Sequence, residues 1–207
     1  AAAEAAPVME LEANGTASNN SLATAQTIPT SAFTLPVPAT VFDPPGFPTA
    51  SLTGAGGGPD VDIFRISGHG QLILDIDNEG IPGLDTVLFL WNGSGVTLAV
   101  DDDFSPLDAG SITSHDSLIF FTLSHPGVYF VGVSRFANTT DCGLELSCDF
   151  VNRFFENGPQ PDEGTQAYLL HLSLEHPHRV SVPSTLVLLV SSGGFALGAG
   201  FWKRCKR

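Results

Sequence analysis

Positive charge is scarce in this chain of 207 residues and is concentrated at one end. The eight Lys and Arg face 22 Asp and Glu, which gives a formal net charge of −14. Half of the basic residues lie within residues 203–207, so residues 1–202 carry four basic and 22 acidic side chains, a formal charge of −18. A body of this charge repels nucleic acid and anionic lipid, whereas it attracts divalent cations. We therefore expect no nucleic-acid partner.

The common catalytic motifs are missing as well. The six His residues do not follow the H-E-x-x-H spacing of metalloproteases. Gly93–Gly95 lacks the G-x-S-x-G frame of a nucleophilic serine and is typical of a hairpin turn. His176 and His178 are expected to lie exposed in a linker, and no Gly-rich stretch ends as a phosphate-binding loop does. The sequence therefore predicts a domain that is not an enzyme.

Cysteine is rare, with three residues in the chain. Cys142 and Cys148 lie in a loop-like insertion, residues 137–163, and would form a short-loop disulfide in an oxidising compartment. Two free thiols are the alternative, and zinc is less favoured because no second close pair or His lies nearby. Within the same insertion, residues 149–155 are the one predicted helix outside the C-terminal segment.

Charge is also absent from one long run, residues 183–202, which the basic residues 203–207 follow directly. Twenty helical residues at about 1.5 Å each match a hydrocarbon core of about 30 Å. The positive-inside rule then keeps the basic end cytoplasmic and places the preceding chain outside. We expect a transmembrane helix after a linker, residues 176–182, with a buried C-terminal helix as the alternative.

The N-terminal residues are expected to form an exported segment, residues 1–20. Residues 1–6 are small and apolar, which is typical of the end of a signal peptide or of a mature N-terminus just after cleavage. A trimmed fragment would show the same pattern. We therefore interpret the start of the chain as consistent with export.

Between the two ends, short runs rich in Val, Ile, Leu, Phe and Thr alternate with clusters of Gly, Pro, Asp and Asn, as in strands and turns. Leu72, Leu74 and Ile76 occupy alternate positions, which is typical of a strand with one buried face. The predicted strands are residues 62–67, 71–77, 86–91, 96–100, 117–123, 128–134 and 166–174. This pattern predicts an all-β fold, an antiparallel, jelly-roll-like β-sandwich over residues 21–175.

Carboxylates cluster in the turns between these strands. Calcium takes about six to eight oxygen ligands from flexible loops, and one turn supplies several of them. Asp is also favoured in turns for its backbone hydrogen bonds, so turn formation and solubility are the alternative role. The candidate calcium ligands in and around these turns are Asp101, Asp103, Asp108, Asp60 and Asp62.

One ordered set of segments consists of Glu10 and Glu12, then residues 18–26, 60–64, 84–90, 101–103 and 127–133. This set resembles, in order, the bacterial pre-peptidase C-terminal (PPC) domain. The resemblance covers roughly residues 10–175 and implies a non-catalytic β-sandwich of the kind appended to secreted proteases and other exported proteins. It also implies that Glu10, Glu12, Asn19 and Asn20 form a second candidate calcium site, where the ion would hold the N-terminal segment on the sandwich.

A short Pro-containing run stands before the Gly-rich apolar segment and the basic end: Val182, Pro183, Ser184, Thr185 and Leu186. Together, these features resemble a PEP-CTERM sorting signal. The resemblance implies processing by an exosortase-type enzyme, and a plain membrane anchor is the alternative.

Two functions remain open from the sequence. The first is a non-catalytic cell-surface or extracellular-matrix protein that adheres to polysaccharide or protein. The second is an accessory module of a secreted peptidase or other hydrolase.

Overall fold

The computed structural model describes residues 6–11, 18–35, 46–56, 61–77, 85–105, 107, 110–111, 114–136, 138–140, 150–152 and 166–178. The strands are β1 (Val8–Met9), β2 (Gln26–Thr27), β3 (Thr49–Gly56), β4 (Val61–Asp77), β5 (Thr86–Asn92), β6 (Thr97–Asp101), β7 (Leu118–Arg135), β8 (Asn138–Thr140), β9 (Phe150–Asn152) and β10 (Gln166–Pro177). Within these residues the one helical element is a 3₁₀ turn, Thr30–Ala32. The prediction of an all-β fold is confirmed.

One large sheet contains most of the strands, in the order β1-β3-β10-β4-β7-β5-β6, with β2 alongside β4. Its pairs are antiparallel except for β1 with β3 and β2 with β4, which are parallel. β8 and β9 form a separate two-stranded sheet. The predicted antiparallel character is therefore confirmed for most of the sheet.

β4 and β7 are long because each joins two of the predicted strands into one. Their pairing shifts register between Gly68 and Gly70, and Gly70 has a positive φ of 89°. A Cβ on Gly70 would lie 2.5 Å from the carboxylate of Glu175, so the position favours glycine for two reasons. Residues 125–127, predicted as a turn, run inside β7 opposite this bulge.

The bulge lets the sheet fold over, and the two halves of β4 then pack against a common core. The first half contributes Phe64 and Ile66, and the second half contributes Leu72, Leu74 and Ile76, to one buried cluster. The two ends of β7 also come together: the hydroxyl of Ser117, just before β7 begins, lies 3.1 Å from that of Thr86, which pairs with Arg135 at the end of β7. The result is a two-layered, sandwich-like body. The first layer contains the first half of β4 with β2, the second half of β7, β5 and β6. The second layer contains the second half of β4 with the first half of β7, β10, β3 and β1.

The outer face of the first layer carries a second buried cluster, made of Val61, Ile63, Val87, Phe89, Trp91 and Phe130. Leu22 and Ala25 of the N-terminal segment pack against it. The Trp91 ring lies parallel to that of Phe89, with centroids 5.1 Å apart. The N-terminal segment therefore covers apolar surface as well as pairing with the sheet.

The Gly93–Gly95 hairpin is confirmed, because Asn92 N–H donates to Val96 O at 2.9 Å and Gly95 N–H to Asn92 O at 2.9 Å. The predicted helix at residues 149–155 is wrong at residues 150–152, which form β9. Phe and Val there favour an extended, paired backbone.

Several predicted features lie outside the described residues. These are the membrane helix 183–202, the basic end 203–207, the sorting residues 182–186, and Cys142 and Cys148. In the part of the chain that the structure describes, no helix has the length and apolar character needed to cross a bilayer.

Candidate functional site

The N-terminal segment is attached to both layers of the body. β1 extends the second layer by pairing with β3, and β2 extends the first by pairing with β4. The Gln26 side chain joins them, because its Nε2 donates to Met9 O and its Oε1 accepts from Leu11 N–H, both at 3.0 Å. The segment therefore closes the seam between the two layers.

Two carboxylates are buried at this seam. Glu10 is 0% exposed and Asp62 is 1% exposed, and Asn19, also 0% exposed, lies between them. Tyr168 donates its hydroxyl to Asp62 Oδ2 at 2.5 Å. With Nδ2 turned toward the carboxylates, Asn19 donates to Asp62 Oδ1 and to Glu10 Oε1, both at 3.1 Å. We call these four residues the seam cluster.

The Asn19 amide links the two carboxylates of the seam cluster. Its Nδ2 faces inward, and the amide hydrogens bridge Asp62 and Glu10. A cation that displaced these hydrogen bonds would be bound by Asn19 Oδ1, after rotation of the amide, and by the two carboxylates. Oxygen donors from carboxylates and amides are those that calcium prefers. The donor types of Glu10, Asn19 and Asp62 therefore fit calcium, with three of the about six to eight ligands that it takes.

The structure separates the predicted calcium ligands into two places. Glu10 and Asp62 meet in the seam cluster, whereas Asp101 is the last residue of β6 and Asp103 lies in the turn after it. Glu12, Asp60 and Asp108 are outside the described residues. Within the described ranges no group of three His, Cys, Asp or Glu is arranged to hold a metal ion. The seam cluster has two such residues, with the Asn19 amide as its third donor.

A second acidic group lies where β5 begins and β6 ends. Asp101 Oδ2 accepts from Leu118 N–H at 2.9 Å, which fixes the end of β6 against the start of β7. Burial raises the pKa of Asp101, an effect that this backbone hydrogen bond opposes and that Asp102 and Asp103 add to. Asp101 and Asp103 are thus close enough to influence each other, as a shared turn site requires.

Asp85, the residue just before β5, has the largest pKa shift in this group. Burial raises its pKa from 3.8 to about 6, with His115 opposing the shift and Asp103 and Asp102 adding to it. Its Oδ1 is buried and has no hydrogen-bond partner among the described residues. The ionised carboxylate of Asp85 is therefore held in a position that disfavours its charge.

Replacing Asp85 by asparagine is expected to stabilise the protein at neutral pH only. Because its folded-state pKa is raised, stability is fully present below pH 3.8 and is lost as the pH rises through about 6. We expect Asp85→Asn to leave the free energy of unfolding unchanged at pH 3.5 and to raise it by about 1 kcal/mol at pH 7.5, the roughly 3 kcal/mol of a two-unit shift being reduced by solvent screening. Urea unfolding at both pH values measures this, and an equal difference at the two pH values would contradict it.

A buried polar chain crosses three neighbouring strands of the second layer. Ser51 Oγ on β3 lies 2.8 Å from His171 Nδ1 on β10, and His171 Nε2 lies 3.1 Å from Asp77 Oδ2 on β4. His171 and Asp77 are each 1% exposed and Ser51 is 9% exposed. His171 Nε2 and Asp77 Oδ2 are within ion-pair distance, a contact that is an ion pair when the ring is protonated, and neither Asp77 oxygen has a well-aligned hydrogen bond among the described residues.

These are the residue types of a serine-hydrolase triad, in a different arrangement. In that triad the serine contacts Nε2 and the aspartate contacts Nδ1, whereas here the two ring nitrogens are exchanged. Close packing continues on the far side of Asp77, where a Cβ on Gly110 would lie 2.1 Å from its Oδ1. We interpret this row of buried polar side chains, Ser51, His171 and Asp77, as a structural element of the second layer.

No protein-family model and no curated protein sequence matches this chain. Among solved structures, it is similar to the crystal structure of Aeromonas hydrophila PliG, a periplasmic lysozyme inhibitor of g-type lysozyme. The similarity covers 72% of this chain and 95% of that chain, with 14% sequence identity and a TM-score of 0.36. At this level it carries no conclusion about function.

Proposed function

We propose that the chain is an exported, non-catalytic protein of the cell surface or extracellular matrix, which acts in adhesion or in association with exopolysaccharide. Its body would be a jelly-roll-like β-sandwich of the PPC type. The observation that carries the proposal is the seam cluster, in which buried acidic side chains hold the N-terminal segment on the body. In this proposal the cluster binds calcium and makes the module rigid.

A calcium site in the seam cluster would also indicate where the protein works. A site with two carboxylates belongs with weak calcium sites, and extracellular modules bind calcium with dissociation constants of about 10⁻⁴–10⁻³ M. Such a site fills where free calcium is abundant, outside the cytoplasm. The strongly acidic body, which repels anionic polymers unless cations bridge the two, also supports a calcium-dependent contact with matrix.

The C-terminal segment supplies attachment in this proposal. Residues 183–202 would enter the membrane as a helix, with the basic end in the cytoplasm and an exosortase-type enzyme acting near Pro183. Cys142 and Cys148 would pair in the oxidising compartment that export provides. The sandwich would then be released to, or held at, the outer surface.

The intact mass of the protein, recovered from the medium, the matrix, the outer surface and the inner membrane of its native cells, tests this function. We expect a species ending near Pro183 in the matrix fraction, and in the medium when exopolysaccharide synthesis is disabled. A full-length species confined to the inner membrane would contradict sorting, and a cytoplasmic one would contradict export. A mass that includes a peptidase domain would favour the accessory-module alternative.

A further inference from the structure

Three histidines meet at the bend of the sheet. The bend lies in the middle of β4, whereas Asp62 of the seam cluster lies near the start of that strand. His176 on β10 is the cross-strand partner of His69 on β4. His178 follows two residues later, and its backbone N–H donates to Ser67 O at 2.7 Å, which keeps it alongside β4. An i, i+2 pair on an extended chain points to one face, so both side chains of the His-Pro-His run reach the ring of His69.

The rings of His69 and His178 are in direct contact. His69 Nδ1 lies 2.7 Å from His178 Nε2, with the ring planes 9° apart. Two imidazole nitrogens at this distance need a proton between them, because two lone pairs would repel. His176 completes the group, with its ring centroid 4.7 Å from that of His69.

A carboxylate lies behind the third ring. Glu175 Oε1 is 3.5 Å from His176 Nε2, while Glu175 Oε2 accepts from Gln71 N–H at 2.9 Å. A carboxylate on one ring nitrogen keeps the proton there and leaves the other nitrogen with its lone pair. Metal-binding histidines commonly have such a carboxylate on the nitrogen that does not bind the metal.

We propose that His69, His176 and His178 form a binding site for a divalent transition-metal ion of the zinc class, oriented by Glu175. The ion takes the place of the proton shared by His69 and His178, and the ring that donated this proton carries it on its other nitrogen. Both rings stay neutral, so the exchange needs no further reactant. In the proton-bridged state the three rings do not yet surround a metal-sized centre, in agreement with the lack of a ready-made metal group in the described ranges.

The change in geometry that the ion requires is small. Zinc–nitrogen distances of about 2.0–2.1 Å in a tetrahedral site separate neighbouring nitrogens by about 3.3 Å. The contact of 2.7 Å between His69 and His178 would therefore open by about 0.6 Å. The His176 side chain is 52% exposed, and surface rings of this kind can rotate to follow.

The donor atoms set the chemical class of the ion. Imidazole nitrogens suit zinc, copper and nickel, whereas calcium and magnesium require oxygen ligands. The site is therefore separate from the seam cluster in both place and chemistry. When filled, it would join the bend of β4 to the end of β10 and to His178, which follows it.

Zinc titration of the full chain, without a histidine tag and after treatment with a chelator, tests the proposal. We expect one zinc ion per chain by calorimetry, a higher melting temperature with zinc, and no competition from calcium. His69→Ala and His176→Ala should each weaken binding at least tenfold, and Glu175→Gln about tenfold. Cobalt bound at the same site should give the visible absorption of a tetrahedral ion.

His125→Ala is the matched control, because His125 is an exposed histidine at the same bend whose Nδ1 lies 2.8 Å from Ser124 Oγ. This variant should bind zinc as the unaltered chain does. Zinc binding that survives His69→Ala, or that is lost equally in His125→Ala, would overturn the proposal. So would a folded chain that binds no zinc at 100 µM, about a hundred times the protein concentration of the assay. Circular dichroism of each variant establishes that it is folded.

Discussion

Replacing His171 by leucine is expected to lower the free energy of unfolding by about 2–3 kcal/mol, the cost of leaving the buried Asp77 carboxylate without the polar ring that faces it. The partner that remains is Asp77, whose side chain is 0% exposed and 3.1 Å from the ring. A leucine of similar volume keeps the packing but offers the carboxylate no donor. The Ser51 hydroxyl also loses its contact with the ring. Urea unfolding at pH 7 measures the change.

Two variants separate the effect of charge from the effect of packing. Ser51→Ala removes the hydroxyl that contacts His171 Nδ1 and should lower the free energy of unfolding by about 1 kcal/mol. The double variant His171→Leu with Asp77→Leu removes both members of the ion pair and should recover most of the stability lost by His171→Leu alone. Additive losses in the double variant would show that the ring contributes through packing and that the ion pair is unimportant.

Calcium is expected to raise the free energy of unfolding by about 2–3 kcal/mol at a hundredfold excess over its dissociation constant, because it binds the folded seam cluster and not the unfolded chain. Asp62→Asn should abolish this gain, since it removes a charge and an oxygen donor at the centre of the cluster. Asp103→Asn is the matched control, because Asp103 lies in the separate turn after β6. Thermal unfolding with calcium and with a chelator gives the comparison.

Asn19→Asp tests the same site in the opposite direction. Without calcium it places a third carboxylate against Glu10 and Asp62, and like charges at this depth should cost at least about 2 kcal/mol. With calcium the added charge should make the gain larger than in the unaltered chain. A calcium gain that persists in Asp62→Asn but disappears in Asp103→Asn would move the site to the turn after β6.

The strands could be predicted well because apolar alternation and turn residues both report local structure. β4 and β7 were each predicted as two strands because Gly68, Gly70 and the His-Pro-Gly run resemble turns. In the structure these residues form a bulge in the pairing of two long strands. β3 was missed because five of the eight residues in its sequence, TASLTGAG, are Ala, Ser or Gly, which have weak strand preference. It is suited to its place, since a Cβ on Gly54 would lie 2.2 Å from the Tyr168 hydroxyl.

The sites could be predicted only in part, because register and not spacing brings their residues together. Glu10 and Asp62 were candidates for calcium, yet nothing in the sequence joined them to Tyr168, whose hydrogen bond to Asp62 spans 106 residues. Ser51 and His171 are 120 residues apart and meet as direct cross-strand partners. The alternation of polar residues with leucines in β10 predicts a strand with a polar face. This pattern is local, so it does not identify the strand that pairs with β10.

The attachment of the N-terminal segment also determines the order in which the fold can be completed. Residues 6–28 leave the ribosome first, but their partners, β3, β4 and finally Tyr168, are made later. Contacts between segments so distant in sequence form slowly, because a long loop must close before they gain any energy. We therefore expect closure of the seam to be among the last folding steps. Until it occurs, the open edges of β3 and β4 are accessible to proteases and to other chains.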